Sequence, residues 1–159
     1  MTKLLKATHQ GALDLNGIII SCAVLEDGTR VISERSLAQA LGIRGSGSYW
    51  AKRKNNEEFA DLLPEYLSVN NIQEFISEAL KENLSKSISY KPKIGKTGLK
   101  GATGFKADVL PDICDVWINA QKAGVITTTQ EQVANNAYIM LKGFAKVGII
   151  ALIDEATGY

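Results

Sequence analysis

Histidine is nearly absent from this 159-residue chain: His9, its one example, lies near the N-terminus with no metal-ligand partner close by in sequence. That argues against a histidine-based metal cluster, and a Ser-His-Asp arrangement would have to be assembled by tertiary structure alone. Cysteine is almost as scarce. Cys22 and Cys114 both fall in apolar patterns at no metal-ligand spacing, and so read as reduced, buried thiols. Net charge is missing too, since 18 lysines and arginines against 17 acids leave +1 and no global pull toward nucleic acid or membrane. No stretch approaches the roughly 18 consecutive apolar residues of a membrane span, and MTKLLKATHQ lacks the apolar run of a secretory signal. The expectation is a cytoplasmic protein with no membrane partner, no cofactor and no metal.

What is present is a core. With 45% hydrophobic residues the chain can bury one without staples, and a single domain over 1–159 is the simplest organisation. From Ala12 to Ile32 the pattern predicts a β-meander: Leu13 and Leu15 alternate with polar residues, Asn16-Gly17 and Asp27-Gly28 are tight-turn signals, and Ile18 to Leu25 is β-branched. Ser33 is placed to cap a helix carrying Leu37, Ala40 and Leu41 that stops at Gly42. Pro64 interrupts the apolar stretch Phe59 to Leu67, and Asn71 with Glu74 resembles a capping box for a helix over Ile72 to Asn83.

From Ser85 to Lys106 the chain carries six lysines and no acid, and Gly95, Gly98, Gly101 and Gly104 are read as breaking regular structure. Strands over Ser87 to Lys93 and Ala102 to Ala107 would flank a loop. Ala107 to Gly124 is the best-specified helix, with Leu110, Ile113, Cys114, Trp117 and Ile118 on one face at three- and four-residue intervals, Asp108 as N-cap, Pro111 in the first turn and Gly124 at the C-terminal end. Thr128 and Glu131 suggest a capping box for a last helix to about Asp154. The run Ile149 to Ile153 is β-branched enough for a strand, but Ala151 and Leu152 continue the helical stripe, which favours helix. The class is α+β: an N-terminal antiparallel meander, about four helices in the core, and a lysine- and glycine-rich hairpin or loop.

Chemistry is thin in this pattern. Gly95-Lys96-Thr97 matches the end of a Walker A motif, but Tyr90 stands where its first glycine belongs. Asp154 and Glu155 are adjacent, so a helix aims them apart rather than across a substrate. A non-enzymatic role follows. The basic segments offer nucleic-acid contacts instead: Arg44, Lys52, Arg53 and Lys54 around Tyr49-Trp50, in a helix, glycine turn, helix layout, and Lys91, Lys93, Lys96 and Lys100 in the lysine-rich segment. The small residues Ala134, Ala137, Gly143, Ala145 and Gly148 allow close packing of the last helix, within the fold or across a homodimer.

Three segments recur together in one order: LEDGTRVISERSLAQALGI (Leu25 to Ile43), ADVLPDICDVWINAQKAG (Ala107 to Gly124) and FAKVGIIALIDEATGY (Phe144 to Tyr159). In this the chain, from about Gly11 onward, resembles the bacteriophage p-sixty-three carboxy-terminal domain family of phage and prophage proteins. The resemblance implies a phage or prophage regulatory setting, with DNA or a phage or host regulatory protein as partner, and supplies no catalytic residues. Sequences of that family continue past the position of Tyr159, so this chain reads as a truncated or naturally short member. The function expected is a non-catalytic regulatory module contacting DNA through its basic segments. The alternative is a protein-interaction or oligomerisation module.

Overall fold

The computed structural model describes residues 4–43, 67, 69–93 and 101–159. Three strands open it, β1 (Leu5–Leu15), β2 (Ile18–Leu25) and β3 (Arg30–Ser33), paired antiparallel as the meander that the turn signals predict. Asn16 and Gly17 both take positive φ, which a two-residue hairpin turn requires, and the Asp14 side chain accepts from Gly17 N at 2.7 Å. At the second turn Asp27 accepts from Thr29 N at 2.9 Å, and this bond holds its carboxyl below the usual range.

The first strand begins at Leu5, well before Ala12, because its early residues have a second neighbour. Strands β4 (Ile88–Lys91) and β5 (Ala102–Lys106) form the antiparallel pair expected of the lysine-rich segment. Strand β5 joins β3, and β4 joins β1 in parallel at Leu5↔Tyr90 and Lys6↔Lys91, closing a barrel in the order β1-β2-β3-β5-β4. Gly104 does not break structure here. It lies inside β5 against the Ile32 carbonyl, where a Cβ would have no room, so its bareness lets the strands close. Ala7, Ala23, Leu25, Val31 and Tyr90 fill one face of the curved sheet, and the other face presents Leu15, Ile20, Ile32 and Phe105 to the helices.

Helix α1 (Glu34–Ala40) starts at Ser33, whose Oγ accepts from Ser36 N at 3.2 Å. It buries Leu37 and Ala38, with Ala40 only half covered. The helix expected over Ile72 to Asn83 is two pieces: a 3-10 helix (Asn70–Phe75) and, after extended Ile76, α2 (Glu78–Leu84), capped by Ser77. Asn71 caps neither, because its side chain is spent on Val125 O and Gln130 Oε1, at 3.0 and 2.6 Å. Helix α3 (Val109–Lys122) buries Leu110, Ile113, Cys114 and Trp117 of the predicted stripe and leaves its last member, Ile118, half-covered. Asp108 precedes it in helical conformation with no capping bond from its side chain, while Gly124 is left-handed as expected.

Helix α4 (Thr128–Thr157) is one unbroken element, so the run Ile149 to Ile153 is helical. Its capping box lies one residue earlier than the sequence suggested: Thr127 Oγ1 accepts from Gln130 N at 3.3 Å, and the Gln130 side chain accepts from Thr127 N at 3.0 Å. Val133, Ala134, Ala137 and Met140 pack into the core beside α3.

Candidate functional site

Of the eight basic residues singled out from sequence, Lys91 and Lys93 are described. Arg44, Lys52, Arg53, Lys54, Lys96 and Lys100, and with them the second half of the helix-turn-helix layout, lie outside the described residues. Lys91 is exposed at the end of β4 and faces Lys6 of β1 across the parallel seam. Lys93 follows, its backbone N–H donating to Gln10 Oε1 at 2.7 Å. Sequence reading missed Lys6, since nothing local shows that β1 meets β4. Like charges opposed on neighbouring strands cost stability, which an anion laid over them would relieve. Glu26 tempers this edge, because its carboxylate accepts from Lys6 N at 3.1 Å.

The sole histidine is exposed on β1, its Nδ1 3.0 Å from Thr8 Oγ1. It lines an open apolar groove of about 270 Å³ together with Gly11, Leu13, Cys22, Val24 and Arg30. Cys22 is half-buried and Cys114 buried, and neither forms a disulfide. Burial raises both thiols, that of Cys114 to about 12, so neither is a ready nucleophile. Among the described residues no cluster of histidine, cysteine and carboxylate side chains could hold a metal ion.

The most unusual surface is the second part of α4. Its small residues divide: Ala134, Ala137 and Gly143 are buried in the fold, Ala145 is exposed, and Gly148 has open space around it. Gly143 lets α4 lie against the β1–β2 hairpin, where an added Cβ would stand 3.0 Å from the Leu15 Cα, and Asn16 Nδ2 donates to Ile139 O at 3.3 Å. Beyond Phe144 nothing is buried through to Tyr159. Val147, Ile149, Ile150, Leu152 and Ile153 are 53–63% exposed, and at 100° per residue they spread over about 220° of the helix circumference, with Gly148 and Ala151 in the remaining arc. A helix apolar all round belongs inside something, since each such side chain is worth about 1.5–3 kcal/mol once covered.

Taken whole, α4 is long and apolar enough to cross a membrane, with 17% of its most apolar window buried inside the fold. Its earlier turns give Val133, Ala134, Ala137 and Met140 to the core, and residues 145–157 extend over about 20 Å beyond Phe144. No family model, no curated protein and no solved structure matches this chain.

Proposed function

We propose that the chain is a protein-docking module of a phage- or prophage-type regulatory protein, working by binding and without catalysis. The observation that carries the reading is the run of exposed aliphatic side chains on α4 after Phe144, displayed on a helix whose other end is fixed in the core. The regulatory setting rests on the family resemblance of the three segments quoted above. A photoreactive residue replacing Ile150, irradiated in the cell, is expected to give a discrete protein cross-link. The same residue at the exposed barrel position Ser89 should give none. Absence of any protein adduct at 150, or adducts to lipid only, overturns the reading.

A second reading, contact with DNA, is favoured by the exposed lysines facing each other at Lys6 and Lys91, with Lys93 beside them. Arg44, Lys52, Arg53, Lys54, Lys96 and Lys100 would extend the contact. Fluorescence anisotropy with labelled duplex at about 50 and 200 mM salt tests it, since phosphate contacts weaken steeply over that range. Replacing Lys6, Lys91 and Lys93 by alanine is expected to lower the salt slope by about 2 to 3. Failure to bind at the lower salt removes DNA and leaves docking.

A further inference from the structure

The projecting part of α4 is polarised along its length. Lys142, in the turn just before it, and Lys146 stand at the end nearest the core, its acids, Asp154 and Glu155, stand at the far end, and Val147 to Ile153 between them is uncharged. Lys142 lies over the Tyr138 ring, 5.4 Å from its centre, while Lys146 is exposed to solvent. Building on the docking reading, we infer that this segment packs antiparallel against the same segment of a second copy of the chain. Antiparallel packing is the orientation its charges favour: a two-fold axis between Ile150 and Ala151 brings Lys146 level with the acidic pair of the partner copy, whereas parallel packing stacks lysine on lysine and acid on acid. That axis lies near the middle of residues 145–157, so the last turn of each helix lies level with the residues that follow Phe144 in the other.

The area agrees. Five side chains of roughly 170–200 Å² each, exposed by 53–63%, present on the order of 500 Å² of apolar surface per copy, so four copies hold about 2,000 Å², within the range of a specific interface, whereas a single pair hides only about 500 Å². One neighbour covers one side of each helix. Ile149 and Leu152 face away from Val147 and Ile150, so two pairs can stack, and a tetramer built from two such pairs is the expected species.

Sedimentation equilibrium of the purified chain at about 1–100 μM tests this. A dimer or tetramer supports it, and a monomer throughout overturns it. Two charge variants then read the orientation. K142E/K146E makes both ends of the segment acidic, and D154K/E155K makes both ends basic. Each alone is expected to associate at least ~10-fold more weakly than the original chain, and an equimolar mixture to regain association, because unlike ends then meet. These positions lie outside the core, and far-UV circular dichroism checks that each variant folds. Variants that associate as tightly as the original, or a mixture that gains nothing, overturn the antiparallel arrangement. A monomeric chain whose residue 150 cross-links to a different protein defeats self-pairing and keeps the docking reading; no protein adduct at all defeats both.

Discussion

The two parts of α4 are one helix in two environments. From Thr128 to Phe144 it mixes Gln, Asn, Glu and Thr with a single apolar stripe, and that stripe, Val133, Ala134, Ala137 and Met140, is what the core receives. From Ala145 to Ile153 the only polar side chain is Lys146, and no residue is buried. The amphipathic part announces its own packing in its pattern. The uniformly apolar part announces only that it needs a cover, which the described residues do not provide.

Substitution at matched positions sharpens this contrast most. Met140→Ala removes a fully buried side chain and is expected to cost about 2–5 kcal/mol, read as a drop in urea midpoint. Ile150→Ala, made in the exposed part of the same helix, is expected to change the stability of the unassociated chain by no more than about 0.5 kcal/mol. Equal losses at the two sites would break the comparison, because they would mean that the second part is also held by the fold. The glycines give a smaller effect but opposite signs. Gly143→Ala presses on the Leu15 backbone and is expected to lower stability by about 1 kcal/mol, whereas Gly148→Ala meets open space and should raise it by about 0.5–1 kcal/mol through helix propensity. A stabilising Gly143→Ala would show that the hairpin yields.

Much of the fold was legible because its signals are local. The Asn16-Gly17 and Asp27-Gly28 turns, the Ser33 cap and the α3 stripe each depend on a few neighbouring residues, and each appears where the pattern puts it. What escaped depends on residues far apart. Asn71 looked like a cap until Val125 and Gln130 claimed its amide, Gly104 looked like a breaker until β3 came against it, and Lys6 gained meaning only beside Lys91. The candidate surface was half legible for the same reason. Periodicity names the side chains that can be buried, and a stripe continuing through Ala151 and Leu152 says nothing of whether a neighbour is there to receive it.

The parallel seam between β1 and β4 has a consequence for how the chain reaches this shape. During synthesis β1 can pair at once with β2, its neighbour through a two-residue turn, yet its other edge stays open until Tyr90 and Lys91 have left the ribosome. The first strand made thus waits for a partner that follows β2 and β3 in the chain, and its seam, with only two registered residue pairs, closes across the longest sequence separation in the barrel. A nascent chain of this protein carries an unsatisfied strand edge from the completion of β1 until β4 has been made, and that edge is where a wrong neighbour could add itself.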